Sequence, residues 1–399
     1  MLKSLVGEAK HCIGTTARFR IIYLAMLVLS LHWAVVLFVH STYLGRFVNP
    51  ESIGALFIIG SALTVFAFLF ISRVLQKLGN YTLTLGLTAV EFVVLVGMAF
   101  ADSLRVAVPL FILHQAIVPL ILFNLDVFVE NMIDGEEKTG SKRGVMLTLM
   151  SLASAFAPLG AGYLMGTGEP RFTLVYIASA LFLIPFALII WRNFKTFADS
   201  PYPTVEVLSG MRGFWIDKNL RFVFLAHFLL QLFFAWMVIY VPLYLAKEVG
   251  LSWEAIGSVL FVGLLAYVFF EYPIGRVADL YIGEKEMMAT GFFILAITTC
   301  WISFLNTAAV IPWMVTMFLT RVGASLVETT TESYFFKHTR GGDATIISFF
   351  RITRPLAIVF GALLGSLALL YMPFQYIFIA LGLSMLIGII FSLFIVDTK

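Results

Sequence analysis

Twelve long apolar runs are the feature that most constrains how this chain can fold. They lie at about Ile21–Leu44, Ile53–Val74, Thr82–Ala101, Val106–Phe128, Gly144–Gly166, Phe172–Trp191, Phe222–Leu245, Trp253–Ile274, Met287–Phe304, Ala309–Thr330, Ala344–Leu370 and Phe374–Val396. A helix needs about 20 apolar residues to cross a bilayer, whereas the strands of a membrane β-barrel alternate apolar and polar residues over about ten positions. The sequence therefore predicts an all-α polytopic membrane protein with 12 transmembrane helices.

The composition excludes an ordinary soluble protein. The chain is 61% hydrophobic and 12% charged, whereas soluble domains average about 45–50% apolar and about 25% charged residues. The two cysteines, Cys12 and Cys300, are far apart, and no metal-ligand spacing occurs, so neither a disulfide framework nor a metal or cofactor is expected. The first run is longer than a signal-peptide core and no A-x-A-like site follows it, which predicts a retained span.

The basic residues predict the orientation of the chain. Of the 26 Lys and Arg residues, 19 fall in segments on one side of the predicted spans, 4 in segments on the other side and 3 within spans. Because loops rich in Lys and Arg stay inside, both termini are expected in the cytoplasm of a multi-pass protein of the plasma (inner) membrane. The basic residues are dispersed and form no run, so no nucleic-acid partner is expected.

The chain divides into two similar halves. A polar connection over 194–220 contains Pro201, Pro203 and Gly210 and separates a six-helix bundle at 1–193 from a second at 221–399. Aligning Arg20 with Arg221 gives eight identities in 27 positions without a gap. Two halves with the same orientation are parallel repeats, which are typical of one class of secondary transporter with its site between the halves, near the midplane.

One loop resembles the signature of the major facilitator superfamily, G-x-L-A-D-R-x-G-R-R between the second and third helices. The second half has Gly275-Arg276-Val277-Ala278-Asp279 and a late glycine, Gly283, whereas the first half has Gln76 in place of the acid. The resemblance implies the superfamily's fold, an expected monomer, and alternating access by rocking of the two halves. It also implies a cytoplasmic latch of Gly275, Arg276 and Asp279 near Arg143, without a symmetrical acid in the first half.

The fifth span contains a second resemblance. Ala157-Pro158-Leu159-Gly160-Ala161-Gly162 is similar to the G-P-x-x-G-G motif of antiporter members of this superfamily, with alanine at two glycine positions. That resemblance favours export. The alternative is that small residues simply allow close helix packing in lipid.

Charged residues inside the spans are candidate sites, because each costs at least about 2.5–3.5 kcal/mol at the bilayer centre. Spacings of four, three and four put Arg321, Ser325, Glu328 and Glu332 on one face of the tenth span. The fourth span carries Asp126 and Glu130 at the same spacing of four, and in the superfamily both spans line the cavity. We expect Glu328 and Glu332 to pair with Arg351 and Arg354 of the eleventh span, with Arg321 facing the cavity; a static ion network is the alternative.

Other ionisable groups are candidate proton carriers. His32 lies midway along the first span and either carries a coupling proton or is a neutral imidazole bonded inside the bundle. Glu271, one turn after Tyr267, is a carboxylate candidate on the eighth span, and His227 shares a helix face with Gln231 on the seventh. Glu91 on the third span ranks low for the solute but is retained as a proton carrier.

These observations predict a secondary carrier that exports a small amphipathic or anionic solute in exchange for protons. A uniporter or importer of a small metabolite remains an alternative within the same class. A membrane enzyme would need a catalytic cluster at the interface, and a receptor would be expected to add a soluble domain; neither feature is found. No nucleotide-binding motif occurs. The expected partners are the solute, protons and the lipid bilayer, and no enzymatic activity is predicted.

Overall fold

The computed structural model describes residues 2–130, 139–197, 216–278, 282–338 and 353–396. These residues form helices with short connections. The helices are α1 (Leu2–Leu37), α2 (His40–Leu44), α3 (Pro50–Leu78), α4 (Asn80–Phe100), α5 (Leu104–Glu130), α6 (Thr139–Met165), α7 (Phe172–Asn193), α8 (Lys218–Lys247), α9 (Trp253–Val277), α10 (Glu284–Ile302), α11 (Val310–His338), α12 (Thr353–Tyr371) and α13 (Ile377–Phe394), with a 3-10 turn at Phe374–Tyr376 before α13. The predicted all-α polytopic fold is confirmed.

The long helices correspond to the predicted spans. Within the described ranges, eleven helices are long and apolar enough to cross a membrane, and α6 contributes a shorter apolar stretch, Leu149–Met165. The helix α6 begins with the polar sequence Thr-Gly-Ser-Lys-Arg, so only its later part is apolar. Helical spans are the expected solution in lipid because a helix satisfies its own backbone hydrogen bonds.

Most helices begin or end a few residues outside the predicted spans and α1 begins well before its span, and two further differences are informative. The first predicted span is interrupted: α1 ends at Leu37, and the buried short helix α2 continues the chain. The tenth span continues as α11 to His338, eight residues beyond the predicted end at Thr330. This extension mixes polar residues with the buried Tyr334 and Phe335. Ser333 within it donates a hydrogen bond to Oε1 of the buried Glu284 on α10 at 3.0 Å, so tertiary contacts support the added turns.

The loop glycines of the two repeats have the same conformation. Gly79 precedes α4 with φ 74° and Gly283 precedes α10 with φ 89°. Glycine adopts positive φ without the steric penalty of a side chain. The glycine that the second loop places one residue late therefore serves the same turn at the start of the third helix of each repeat.

The helices form two compact units. The first unit comprises Met1–Val36, Leu63–Ala157 and Thr173–Pro203, and the second comprises Leu37–Ala62, Pro158–Phe172 and Thr204–Lys399. The division into six-helix bundles at 1–193 and 221–399 remains a prediction. The first unit contains most of α1, α4, α5 and α7, and the second unit contains α8 to α13 together with α2 and parts of α3 and α6.

Small residues allow close helix contacts within the second unit. A side chain on Gly162 of α6 would lie 2.5 Å from the carbonyl oxygen of Trp253 and 2.9 Å from Cα of Gly257 on α9. A side chain on Gly54 of α3 would lie 2.5 Å from the carbonyl oxygen of Ala362 on α12. Such approach is the usual way in which helices associate in lipid. Packing therefore accounts for Gly162, the last glycine of the motif in the fifth span.

Candidate functional site

A polar face runs along α11 in the second unit. Arg321 is 3% exposed and Ser325 is fully buried, whereas Glu328 and Glu332 are partly buried. Because α11 is continuous from Val310 to His338, the predicted spacing of four, three and four places these side chains along one side of the helix. The helix packs against α8, α9 and α10, which supply the partners of this face.

The guanidinium of Arg321 lies against an aromatic ring. Its Cζ is 5.5 Å from the ring centroid of Phe233 on α8, within the range of a cation–π interaction. Nη1 donates a hydrogen bond to the hydroxyl of the neighbouring Thr320 at 3.2 Å. These contacts use one face of the guanidinium and part of its five N–H donors, so the group retains the capacity to bind an anionic oxygen.

A tyrosine of α9 faces the same charges. Tyr267 interacts electrostatically with Arg321 and with Glu328 and Glu271, and its ring packs edge-on to Phe234 at a centroid distance of 6.2 Å. Its buried hydroxyl has no hydrogen-bond partner among the residues described. A buried hydroxyl without a partner costs free energy, and it is therefore a candidate contact for a polar group of a bound solute.

The acidic groups converge from two helices. Glu328 interacts electrostatically with Glu332 on its own helix, with Glu271 on α9 and with Arg354 on α12. The side chain of Arg354 is exposed. Three carboxyl groups therefore act on one another in this region, with Arg354 as an opposite charge beside Glu328, and such neighbours of like charge make it easier for one of the carboxyl groups to hold a proton.

A histidine and an amide extend the polar region along α8. Nδ1 of His227 is 3.3 Å from the hydroxyl of Thr331, and Nε2 of His227 is 3.3 Å from the side-chain nitrogen of Gln231. The Thr331 hydroxyl donates to the carbonyl of Glu328 at 3.0 Å. The hydroxyl oxygen then accepts from Nδ1, and Gln231 donates to Nε2, which is the arrangement of a neutral imidazole.

A second group of ionisable side chains is buried in the first unit. Nδ1 of His114 on α5 is 2.5 Å from Oε1 of Glu91 on α4, and Nε2 of His32 on α1 is 3.8 Å from the same oxygen. Glu91 and His32 are fully buried, and His114 is 4% exposed. The two imidazole rings are edge-on, with centroids 6.3 Å apart. Three helices therefore bring two imidazoles to one carboxylate.

A fourth helix holds the ring of His32. Nδ1 of His32 is 2.9 Å from the hydroxyl of Ser179 on α7 and 3.3 Å from the carbonyl oxygen of Ser179. The same hydroxyl lies 2.8 Å from the carbonyl of His32, to which it donates. His32, Glu91, His114 and Ser179 together are called the His–Glu–His cluster below.

The remaining predicted residues are placed as follows. Asp126 is partly buried on α5 in the first unit, and Glu130 is the last residue of that helix, with its side chain outside the described set. Gly275 lies near the end of α9, and a side chain there would be 3.6 Å from Thr329 of α11. Arg276 and Arg143 lie in helices but their side chains are not among those described, and Asp279 and Arg351 lie outside the described residues. The latch and the Glu332–Arg351 pair therefore remain predictions.

Sequence reasoning missed His114, although the signal was present. It is a single histidine within an apolar run, at a depth similar to that of His32 in its own run. The rule that singles out intramembrane ionisable residues applies to both equally. Phe233 carried no such signal, because one phenylalanine among 40 cannot be recognised as the partner of Arg321 from sequence.

Comparisons with known proteins agree with this architecture. The family model described as Major Facilitator Superfamily matches residues 223–399. The crystal structure of the POT family transporter PepTSo has a TM-score of 0.73 at 10% identity, covering 95% of this chain and 97% of that chain. The structure of a point mutant of the nucleoside transporter NupG has a TM-score of 0.75 at 12% identity, covering 94% of this chain and 98% of that chain. No curated protein matches the sequence.

Proposed function

We propose that this chain is a secondary carrier for a small anionic solute with an apolar part. The resemblance to the major facilitator superfamily supports this proposal: the family model matches the C-terminal half, and the fold is similar to that of solved transporters. The proposal includes coupling to protons and the export direction, which rests on the resemblance of residues 157–162 to the antiporter motif. The two six-helix halves at 1–193 and 221–399 would alternate in access.

The buried Arg321 is the observation that carries this proposal. A guanidinium that is 3% exposed, in a helix of a membrane protein, is retained at a considerable cost in free energy. Its described contacts are a ring face and one hydroxyl, and neither is a carboxylate. A carboxylate or phosphate of the solute would supply the charge-assisted hydrogen bonds that the guanidinium can still make.

The surrounding side chains favour a solute with an apolar part. Phe233 lies against Arg321, and Phe234 packs against Tyr267. An aromatic or aliphatic group would pack on these rings while the unpartnered Tyr267 hydroxyl bonds to a polar atom. This combination of apolar walls with a few convergent polar groups is typical of sites for small molecules.

Transport by the purified protein in proteoliposomes tests the proposal. The panel should contain benzoate and salicylate as aromatic anions, uridine and glucose as neutral solutes, and phenylalanine as a zwitterion, each with and without an imposed pH gradient. We expect driven transport of an anion. Transport of neutral solutes alone, at rates unaffected by the gradient, would contradict both the solute class and the coupling.

An arginine series then tests the site. Arg321→Ala should lower the rate of anion transport by about 10–100-fold, the equivalent of one charge-assisted interaction of about 1.5–3 kcal/mol. Arg321→Lys should retain part of the activity. Arg105→Ala, which removes an exposed arginine at the start of α5, is the matched control. Wild-type rates in Arg321→Ala would exclude this residue from the solute site.

A further inference from the structure

The His–Glu–His cluster carries an inference that the solute site does not require. Its three ionisable groups lie on α1, α4 and α5 in the first unit and are at least 96% buried. Buried ionisable groups in a membrane protein are expensive and mark ion or proton pathways. The burial of this cluster therefore indicates a role in binding or conducting an ion or a proton.

The contacts of Ser179 decide which nitrogen of His32 carries hydrogen. The carbonyl oxygen of Ser179 can only accept, and it lies 3.3 Å from Nδ1. The hydroxyl of Ser179 gives its hydrogen to the carbonyl of His32, so its oxygen is also an acceptor toward Nδ1. Nδ1 therefore bears the hydrogen, and in the neutral ring Nε2 has a lone pair directed to the side of Glu91.

Two buried polar atoms of the cluster have no hydrogen-bond partner among the described residues and could accept a proton. Nε2 of His32 and Oε2 of Glu91 make no hydrogen bond to any of the described residues. A lone pair 3.8 Å from a carboxylate oxygen is electrostatically unfavourable, whereas an N–H at the same position is attracted to it. Adding a proton to Nε2 forms one N–H bond and breaks none within the cluster, and it converts the unfavourable contact into an ion pair.

The charge of the cluster limits it to a small number of protons. When His114 is protonated and Glu91 is ionised, their pair is neutral, and a further proton on His32 makes the cluster singly positive. The charged groups that act on His32 are Glu91 of α4 and His114 of α5, while α7 contributes only the polar contacts of Ser179. Because the three groups lie next to one another, a proton bound by one of them changes the charge that acts on the other two.

We propose that His32, Glu91 and His114 form the site at which this carrier binds its coupling proton, taken up between His32 Nε2 and Glu91. The inference rests on the proposed function, because a coupling proton requires a driven transport step. It places proton and solute on different sets of helices: α1, α4 and α5 for the proton, and α8, α9 and α11 for the solute.

A line of buried polar side chains along α4 leads to the cluster. Thr88 donates to the carbonyl of Thr84 at 2.7 Å, and Thr84 donates to the carbonyl of Asn80 at 2.7 Å. The side chain of Asn80 donates to the carbonyl of Asn124 at 2.9 Å. With spacings of four, four and three, Asn80, Thr84, Thr88 and Glu91 lie on one face of α4, all at most 2% exposed.

These side chains extend from the first residue of α4 to Glu91. Asn80 is the first residue of α4, at the end that the predicted orientation places in the cytoplasm, and Glu91 lies about 16 Å farther along at 1.5 Å per residue. The amide of Asn124, fully buried beside Asn80, has neither its oxygen nor its nitrogen hydrogen-bonded within the described residues. This face of α4 thus places polar side chains between the Asn80 end and the cluster.

Titration of the purified protein tests proton binding without any solute. Infrared difference spectra between about pH 8 and about pH 5 report the ring bands of a histidine that becomes protonated, and indicator dyes report proton uptake over the same range. We expect Glu91→Gln, which removes the ion-pair partner of the new N–H, to lose the imidazolium signal of His32 and about one proton of uptake per chain. Glu254→Gln, which changes an exposed acid in the first turn of α9, should keep both the histidine signal and this proton uptake.

The variant His32→Asn provides a second measurement in case Glu91→Gln does not fold. It removes the ring but leaves the Glu91–His114 pair, so it should fold and should lower proton uptake in the same pH range. Unchanged uptake and unchanged spectra in both variants would overturn the proton site.

Transport separates this inference from the proposed function. With a solute identified in the panel above, Glu91→Gln should lose accumulation driven by a pH gradient but retain solute exchange. Gradient-driven accumulation at the wild-type level in Glu91→Gln would overturn the coupling role, even if proton uptake is lost. Failure of the wild-type protein to transport any solute would instead overturn the proposed function, and the titration would still decide whether the cluster binds a proton.

Discussion

The two polar regions of this protein surround their buried ionisable side chains with different kinds of neighbours. In the His–Glu–His cluster, Oε1 of Glu91 lies 2.5 Å from Nδ1 of His114, and both side chains are buried. Along α11, Arg321 meets a phenylalanine ring and a hydroxyl, while Glu328 and Glu332 are only partly buried and face other carboxyl groups. In the cluster a carboxylate contacts imidazoles, whereas along α11 the described neighbours of Arg321 are uncharged and Glu328 acts on carboxyl groups of like charge as well as on Arg354.

That difference corresponds to two kinds of ligand. A proton needs no space and changes the charge of a cluster by one unit, so it suits a closed and nearly neutral site. A solute needs donors and acceptors that are still available, such as the Arg321 guanidinium and the hydroxyl of Tyr267. The comparison predicts that variants in the cluster affect stability and pH dependence, while variants on α11 and its neighbours affect solute binding.

The largest expected effect on stability comes from breaking the Glu91–His114 pair. His114→Leu leaves the buried carboxylate of Glu91 without its counter-ion and should lower the free energy of unfolding by about 3–5 kcal/mol. The double variant Glu91→Leu/His114→Leu should regain most of this loss, because it removes both charges. Unfolding in mixed micelles measures both variants. A double variant as unstable as His114→Leu would show that lost packing, and not an unpaired charge, causes the effect.

A smaller effect is expected from Ser179→Ala. This change removes the hydroxyl contacts to Nδ1 and to the carbonyl of His32, at about 1 kcal/mol for each hydrogen bond lost. It also frees the His32 ring to turn, so the midpoint of proton uptake should shift while the number of protons stays the same. Ser258→Ala is the control, since its hydroxyl only bonds to the carbonyl of Glu254 on the same helix. An unchanged midpoint would exclude Ser179 as a positioning residue.

The smallest effect distinguishes the α11 region from the cluster. Tyr267→Phe removes a hydroxyl without a hydrogen-bond partner in the described part of the chain, so stability should change by less than about 0.5 kcal/mol or rise slightly. The affinity for the solute found in the panel should fall by a few-fold, about 1 kcal/mol, as measured by equilibrium binding. Tyr163→Phe, at a side chain that is 75% exposed, should change neither quantity. A large loss of stability in Tyr267→Phe would indicate a structural hydroxyl instead.

The sequence predicted the α11 face better than it predicted the cluster. Helical periodicity alone places Arg321, Ser325 and Glu328 on one side of α11, because the spacing lies within a single continuous helix. The sequence offers Glu91 only as an isolated proton-carrier candidate on the third span, whereas the structure places it beside two histidines. Periodicity gives the depth and face of a side chain but contains no information on which other helix packs against that face.

Sequence alone determined that this chain is a bundle of membrane-spanning helices with few charges inside them. That result follows from the bilayer, because lipid offers no hydrogen bonds to the backbone and long apolar runs must therefore be helical. Only the tertiary structure decided which of those charges meet. His32, Glu91, His114 and Ser179 come from four helices and are separated by as many as 147 positions along the chain. Their contact depends on side-chain packing between helices, which a one-dimensional pattern of apolar and polar residues does not specify.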